Sequence, residues 1–344
     1  RMPKPTMQDI ADALSTSRIT VWKALNNRPG VSEALRRQIL QKAQELGYGK
    51  AAAPAGRAET PPAAARTVAV VVSRPESSLF WMQIVHQLAR ELTAADYNLM
   101  YTYLPAYDEE GYTLPAALTD GSVAGIIVLN IYTEPLLRLL AALPLPKIFL
   151  DTVPGLPQAG LGGDLVLLEG RDALRRITGR VLDTGRRRLS FVGAVDYAQT
   201  NADRWQGFLD AHAARGLQPD PALCLTGPFG LYTHYEQISG FLDALDRLPD
   251  AFVCASDYIA HYIQQYYDDR GLPHAARPLL TGFDNNPEYA NVAHRITTVE
   301  VQTSTIGARL AARILFRLAH PDAFNEVAYI CTQILYRGAL SEED

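Results

Sequence analysis

Apolar residues recur at helical spacing in three short segments at the start of the chain. Thr6, Ser17 and Ser32 precede these segments, and a hydroxyl is a favoured helix N-cap. The apolar positions are Ile10, Ala13 and Leu14; Val21, Ala24 and Leu25; and Leu35, Ile39, Leu40, Ala43 and Leu46. The pattern predicts three short helices with a tight break at residues 15–17. Two helices around such a break, braced by a third, are typical of a helix-turn-helix.

The rest of the chain alternates short apolar runs with helical segments. The predicted strands are Val68–Val72, Leu99–Tyr103, Gly125–Leu129, Lys147–Leu150, Leu189–Val192, Ala251–Cys254 and Pro278–Leu280. The predicted helices between them are Trp81–Ala94, Ala173–Leu182, Arg204–Arg215, Tyr258–Asp269 and Thr303–Leu318. This alternation favours parallel sheets covered by helices. Because it restarts near residue 173, we expect two doubly wound lobes with a ligand cleft between them.

Three domains follow from these patterns. Residues 1–50 form an all-α helix-turn-helix head, and residues 66–344 form an α/β body. Residues 51–65 are small amino acids with three prolines, which indicates a linker or hinge. We expect one lobe from roughly residues 66–165 and 300–322, and the other from 166–299 and 323–344.

Charge separates the head from the body. Residues 1–50 carry nine cations and four anions, or +5, whereas the remainder carries 23 cations and 33 anions, or −10. A basic head on an acidic body is typical of a module that binds a polyanion, although a solvated helical face gives the same count. With the helical pattern, the charge favours double-stranded DNA as a partner.

Composition excludes several classes of protein. The chain is 48% hydrophobic and 20% charged, as in globular proteins. No apolar run is long enough to cross a bilayer, and residues 1–10 lack the apolar stretch of a secretory signal. Three cysteines without a CxxC pair argue against a disulfide framework. We therefore expect a cytoplasmic protein with no membrane partner.

Catalytic signatures are missing from the sequence. It contains no GxxxxGK[ST], GxSxG or HExxH, and its seven histidines show no metal-ligand spacing. The glycines of residues 160–164 lack GxGxxG spacing and indicate a turn. We expect no catalytic residue, no metal and no cofactor.

The second helix of the head offers groups that suit the major groove. Arg18 and Lys23 fit guanine and Ile19 fits a thymine methyl, while Trp22 also faces outward. The remaining predicted DNA contacts are phosphate contacts from Thr6, Ser17, Thr20 and Asn26. An alternative is that Arg18 contacts phosphate only.

The head resembles that of the lactose-repressor (LacI/GalR) family. The resemblance rests on an Asp-Ile-Ala start, a Thr-Val-Trp-Lys-Ala-Leu-Asn helix, Val-Ser-Glu-Ala-Leu-Arg and Glu-Leu-Gly-Tyr, in this order and spacing. Trp22 departs from the family, which usually has a small residue there. The family's hinge helix inserts a leucine into the minor groove. No leucine occurs between Tyr48 and Val68, so we expect less DNA bending than the family shows.

The body resembles the same family and the periplasmic sugar-binding fold that it shares. The strings are LPKIFLDTVPG, RWQGF, CASDYIA, LLTGFDNNPEYA and RITTVEVQTSTIGARLAARIL. The resemblance implies an effector cleft lined by Asp151, Arg204, Ser256, Asp257 and Asp284, with Ser78, Phe80 and Trp81 near the first strand. Val301 stands where the family often has Gln, which predicts one lost polar contact. Phe80, Trp81 and Tyr235 are candidates to stack on an apolar face of the ligand, and the alternative is that each only packs within the protein.

These observations predict a homodimeric transcription regulator, in the family's usual mode a repressor. Its effector would be a small sugar or sugar derivative, because vicinal hydroxyls suit both carboxylates and a guanidinium. An anionic or nucleobase effector is the main rival. Arg204 and Asp284 could instead form a structural ion pair. The alternative class is a sugar receptor or sugar-acting enzyme with an incidental N-terminal module.

Overall fold

A computed structural model describes residues 5–25, 28, 30–46, 48, 66–73, 78–105, 112–230 and 232–341. The chain divides into two compact units, Arg1–Thr60 and Pro61–Asp344, which contain the head and the body. The predicted linker, residues 51–65, lies outside the described residues. The expectation of weak DNA bending rests on this linker, so it stays a prediction.

The head consists of three helices, α1 Met7–Ala13, α2 Arg18–Leu25 and α3 Glu33–Glu45. Its core contains Ile10, Ala11, Val21, Ala24, Ile39 and Ala43. Leu40 and Leu46 are 40% and 39% exposed, and Ala13 is exposed, so the predicted apolar stripes were too wide. Helices this short bury only one narrow face, and Leu40 lies about 100° around α3 from the buried Ile39.

The body follows the alternation that the sequence predicts. Its strands are β1 Thr67–Val72, β2 Asn98–Tyr103, β3 Gly125–Leu129, β4 Lys147–Leu150, β5 Asp164–Leu168, β6 Leu189–Val192, β7 Ala251–Cys254, β8 Leu279–Thr281, β9 Thr298–Glu300, β10 Val327–Ile330 and β11 Gln333–Leu335. Its helices are α4 Leu79–Ala94, α5 Glu134–Ala141, α6 Arg171–Asp183, α7 Gln199–Ala213, α8 His234–Asp243, α9 Asp257–Asp269 and α10 Thr303–Ala319.

The first lobe is built on a parallel sheet of six strands in the order β10-β5-β4-β3-β1-β2. Val68, Val70 and Val72 face one apolar cluster, and Ala69 and Val71 face another. Both faces of β1 are therefore buried, which explains why its sequence is continuously apolar rather than alternating.

The second lobe is built on a parallel sheet in the order β6-β7-β8, continued by bridges toward residues 297 and 300. Strands β9 and β11 form a separate antiparallel pair. In the described part of the chain, the backbone passes between the lobes three times: after β5, before α10 and between β10 and β11.

Two sequence predictions need correction here. We assigned residues 323–344 to the second lobe, but β10 pairs with β5 in the first sheet. Strand β10 is half-exposed at a sheet edge, so its apolar signal is weak. We also started α7 at Arg204, whereas it begins at Gln199, because the polar first turn hides its helical period.

Candidate functional site: a DNA-reading helix and an interlobe cavity

The second helix of the head presents apolar groups to solvent. Ile19 is 67% exposed and Trp22 is 44% exposed, while Val21 and Ala24 on the same helix are buried. Arg18 is exposed at the first position of the helix, and Lys23 is half-buried. Solvent-facing isoleucine and tryptophan beside cations fit a surface that is covered when DNA binds.

Several of the predicted phosphate contacts already have partners within the head. The Ser17 hydroxyl oxygen accepts the backbone N–H of Thr20 at 3.0 Å and lies 2.8 Å from the Thr20 hydroxyl. Thr6 and Asp9 cap α1 reciprocally, and the N–H of Thr6 lowers the pKa of Asp9. These hydroxyls fix the helix starts. Asn26 lies outside the described residues.

Sequence reasoning missed the role of Arg36. Its guanidinium, on α3, donates to the carbonyls of Ala24 at 3.0 Å and Arg28 at 2.6 Å, and to that of Lys23 at 3.3 Å. It therefore binds carbonyls in the last turn of α2 and just after it, and the Lys23 carbonyl also accepts the N–H of Arg28 at 2.8 Å. The signal was available, since Arg36 is the arginine of the Val-Ser-Glu-Ala-Leu-Arg string.

A cavity of about 760 Å³ lies between the two lobes of the body. It opens where strands of both sheets end, because Asn130 and Asp151 follow β3 and β4, and Gly193 and Ala255 follow β6 and β7. Doubly wound sheets bind ligands at this edge. Asn130, Asp151 and Asp284 all have positive φ (53°, 69° and 103°), a conformation uncommon outside glycine that gathers at functional sites.

The structure brings seven of the nine predicted effector residues to this cavity. They are Ser78, Phe80, Trp81, Asp151, Arg204, Ser256 and Asp284. Among them, the Ser256 hydroxyl also caps α9 by accepting the N–H of Ile259. Val301 is 7% exposed and lines a separate crevice at the lobe crossings rather than this cavity.

Arg204 is the central cation of the cavity. Its guanidinium carbon lies 3.6 Å from the ring centroid of Phe283, and Nη1 donates to the carbonyl of Ala255 at 2.7 Å. A Cβ on Gly170 would lie 2.9 Å from Cγ of Arg204, so only glycine fits beside this side chain. Only 7% of the side chain is exposed, and Nε has no hydrogen-bond partner. A buried N–H without a partner is costly, which suits a ligand that supplies an oxygen.

Asp284 and Arg204 do not form a tight ion pair. Their nearest atoms, Oδ1 and Nη2, are 4.0 Å apart. Burial raises the pKa of Asp284 to about 7, with Asp257 adding to the increase and Arg204 opposing it. The carboxyl therefore has hydrogen-bonding capacity that Arg204 does not use.

Asp151 joins the two lobes. Its carboxylate accepts the hydroxyl of Thr200 at 2.6 Å and the N–H of Thr200 at 3.3 Å, across the cleft. Burial raises its pKa, while the Thr200 and Thr152 hydrogen bonds oppose the increase. The N–H of Gln199 also donates to the carbonyl of Thr152 at 2.7 Å. Asp151 therefore holds the cleft closed in this structure.

Two predicted effector residues lie elsewhere. The ring of Tyr235 is outside the cavity, and its hydroxyl donates to Asp269 on the neighbouring helix α9. Asp257 is 3% exposed, and its carboxylate accepts the hydroxyl of Thr298 at 2.7 Å and the N–H of Asn286 at 2.8 Å. It positions the loop that carries Asp284, and burial raises its pKa to about 6.

The cavity also contains residues that we did not predict. They are mainly aromatic and amide side chains and one carboxylate, including Asn130, Tyr132, Tyr197, Phe229, Tyr232, His234, Tyr258, Asn286, Glu288 and Tyr289. Glu288 accepts from Ser78 of the other lobe at 3.3 Å and from Asn286 at 3.1 Å. The rings of Tyr132 and Tyr197, one from each lobe, lie 4.5 Å apart. Tyr258, Asn286, Glu288 and Tyr289 lie within the CASDYIA and LLTGFDNNPEYA strings, so a sequence signal for them was available. The others are brought to the cavity by the tertiary fold.

Comparison with known proteins decides the family. Residues 6–50 match the profile of bacterial regulatory proteins of the lacI family, and residues 178–340 match the periplasmic binding protein-like domain. The chain belongs to the LacI family of bacterial regulatory proteins. It is a DNA-binding transcriptional regulator with an effector-binding domain, and not an enzyme.

Relatives of this LacI-family regulator cover nearly its whole length. The transcriptional regulator CelR of Thermobifida fusca is 24% identical over 92% of this chain and 93% of its own. The repressor PurR of Pasteurella multocida (strain Pm70) is 26% identical over 97% and 98%.

Solved structures of the family share the fold. A CelR–cellobiose complex superposes with a TM-score of 0.70 at 23% identity, over 97% of this chain and 99% of that one. A lac repressor dimer bound to operator and an anti-inducer superposes with a TM-score of 0.64 at 18% identity, over 97% of this chain and 98% of that one. Among the described residues, no helix has the length and apolarity to cross a membrane.

Proposed function

We propose that this regulator is a homodimeric repressor whose operator affinity is controlled by an uncharged sugar or sugar derivative bound between the lobes. Arg204 carries the proposal for the effector. A buried guanidinium with a partnerless Nε, beside a carboxyl 4.0 Å away, offers a donor and an acceptor to neighbouring hydroxyls. The solved structure of the relative CelR is a complex with cellobiose, a neutral sugar, which supports the same class of ligand here.

The charge of the cavity argues against an anionic effector. Its described lining includes three carboxylic acids, Asp151, Asp284 and Glu288, but only one guanidinium, Arg204. A phosphate or carboxylate placed there would face these three acidic groups against one guanidinium, although the raised pKa of Asp284, about 7, leaves that group only partly ionised at neutral pH. Hydroxyls, which both donate and accept, suit this mixture.

For the head, we propose that α2 enters the major groove. Arg18 and Lys23 would read guanine, Ile19 would contact a thymine methyl, and Trp22 would cover a further apolar group. The hydroxyls of Ser17, Thr20 and Thr6 already make hydrogen bonds within the head, so they would contact phosphates only with their remaining donor or acceptor positions. The exposed position of Arg18 at the start of α2 supports this assignment, because recognition helices read bases with their first residues.

A homodimer would supply two heads to one operator. One head reads few base pairs, and joining two raises the effective concentration at a palindromic site. The first lobe exposes Met82 on α4 and Tyr101 on the adjoining edge strand β2, 51% and 49% respectively, as expected of a face that self-associates. The lac repressor in the similar solved structure is a dimer bound to its operator. Sedimentation equilibrium should give a dimer at micromolar concentration, and a monomer would contradict this part.

Effector binding would act through lobe closure. Asp151–Thr200 and Ser78–Glu288 connect the lobes directly, so a ligand between them changes the balance of open and closed states. Its effect on operator affinity equals its differential affinity for those states.

The test combines two measurements on the same protein. Calorimetry against neutral saccharides, and against sugar phosphates as the rival class, identifies the effector. A gel shift with the protein's own promoter region, with and without that effector, measures the coupling. Binding of only sugar phosphates would overturn the effector class, and absence of sequence preference at physiological salt would overturn operator recognition.

A further inference from the structure

A row of aromatic rings forms one wall of the cavity. Phe229, His234, Tyr258 and Tyr289 all belong to the second lobe and all line the cavity. Phe229 stacks on His234 with centroids 5.2 Å apart, His234 meets Tyr258 at 5.1 Å, and Tyr258 meets Tyr289 at 5.6 Å. We call these four rings the aromatic wall. They hold one another in place, so a ligand finds a preformed surface.

The cavity is larger than one sugar ring requires. Even at the density of liquid water, about 30 Å³ for each non-hydrogen atom, a hexose of about twelve such atoms would fill roughly 360 Å³. The cavity measures about 760 Å³. Arg204, Asp284 and Asp151 offer polar groups to one ring, and the aromatic wall lines further space in the same cavity.

Tyr232 extends this surface. It lines the cavity, yet 87% of it is exposed. Its loop is fastened to α8, because Gln237 Oε1 accepts the N–H of Gly230 at 2.7 Å and the hydroxyl of Thr233 at 3.0 Å. A large exposed aromatic side chain on a fastened loop at a cavity edge suits a ligand that projects outward from the polar groups.

We infer that the aromatic wall and Tyr232 form a second subsite that takes an additional glycosyl ring, so that the effector is a neutral di- or oligosaccharide. The inference rests on the proposed sugar effector and specifies its length. The apolar C–H face of the second ring packs on the aromatic rings, while the first ring occupies the hydrogen-bonding groups around Arg204. Burying apolar area on the rings, rather than new hydrogen bonds, supplies the added affinity.

The experiment measures affinity against chain length by calorimetry on the full chain. The probes are glucose, galactose, mannose and xylose, the disaccharides cellobiose, maltose, lactose, mannobiose and xylobiose, and 4-nitrophenyl glycosides of the four monosaccharides. For the sugar that binds, the disaccharide should bind at least tenfold more tightly than its monosaccharide. Tyr232→Ala should remove most of that gain and leave monosaccharide affinity unchanged.

Tyr235→Ala is the matched control, because Tyr235 lies three residues away and its ring is outside the cavity. It should change neither affinity. Equal binding of mono- and disaccharide, or equal losses of both in Tyr232→Ala, would overturn the second subsite while leaving the sugar effector intact. A gain from the aryl glycoside alone would assign the wall to an aryl group and also overturn the inference. Absence of binding by every saccharide would overturn both proposals.

Discussion

The head and the body present their functional side chains in opposite ways. On the head, Ile19 and Trp22 are 67% and 44% exposed, and Arg18 is exposed beside them. In the body, Arg204 and Asp151 are both 6% exposed. The exposed groups keep their water until DNA arrives, so each contact contributes modestly. The buried groups lost their water on folding, so a ligand that completes their hydrogen bonds gains more from each one.

The largest effect should come from removing the buried cation. Arg204→Ala should weaken effector binding by at least about 100-fold, because charge-assisted hydrogen bonds contribute roughly 1.5–3 kcal/mol each and the guanidinium can make two. Calorimetry measures the loss. Arg171→Ala is the control, since Arg171 is 57% exposed in a surface ion pair with Asp210. If Arg204→Ala binds the effector as well as the wild type does, the cavity is not the effector site.

On the head, one exposed contact should matter less. Arg18→Ala should weaken operator binding by about 1–3 kcal/mol and relax specificity at one base pair. Gel shifts on operator and random DNA separate the two kinds of contact. Arg37→Ala, which removes the same charge from an exposed position of α3, should weaken both DNAs alike. Equal losses on both DNAs for Arg18→Ala would assign Arg18 to phosphate.

The exposure of Arg36 is intermediate between that of the buried Arg204 and that of the exposed Arg18. Arg36→Ala should destabilise the end of α2 by about 1–2 kcal/mol, because the carbonyls of Ala24 and Arg28 lose this donor, whereas that of Lys23 keeps the N–H of Arg28. Amide hydrogen exchange in the full chain should show faster exchange across residues 18–25. Arg36→Lys should restore little, since an ammonium cannot reproduce the planar fork. Unchanged exchange in α2 would show that Arg36 does not hold this helix.

The smallest effect should be the pH dependence of effector binding. The pKa of Asp284 is about 7, so the carboxylate that accepts ligand hydroxyls becomes fully available only above neutrality. Affinity should rise several-fold from pH 6 to pH 8, and Asp284→Asn should flatten the profile. Calorimetry at the two pH values measures this. A profile that persists in Asp284→Asn would point to another group, with Asp257 and its pKa of about 6 as the first candidate.

The raised pKa of Asp284 also predicts how the free energy of unfolding changes with pH. The folded carboxyl of Asp284 keeps its proton up to about pH 7, whereas the unfolded group releases it near 3.8. The folded state therefore binds more protons between these values, and the contribution of Asp284 to the free energy of unfolding falls as pH rises from about 4 to 7. Thermal melts of wild type and Asp284→Asn across this range should diverge in that direction.

Most of the fold could be predicted from local patterns. The bounds of β3, β4, β6 and β7 agree with those that the sequence predicts. Strands β5, β9, β10 and β11 were missed. Strands β9 and β11 are short, β10 lies half-exposed at an edge, and β5 begins directly after the glycines of residues 160–164, which we took only for a turn. Weak local signals of this kind become strands through pairing with neighbours that are distant in sequence.

The residues of the candidate site also fall into those that local sequence indicated and those that only the structure reveals. Asp151 follows a buried strand, and Arg204 and Asp284 belong to recognisable strings, so the sequence alone indicated them. It could not distinguish Tyr232 and His234, which line the cavity, from Tyr235, which does not. The three share one short segment, and only the tertiary structure shows which of them line the cleft.

The sequence by itself determined the helix-turn-helix, the two α/β lobes and the polar residues at the ends of strands, because apolar period and strand ends are local properties. The tertiary structure decided what those polar residues do. Asp151 faces Thr200 across the cleft, Asp257 positions a loop, and Arg204 keeps a buried N–H without a partner. Burial and the partners it brings depend on chain segments far apart in sequence, so no local pattern encodes them.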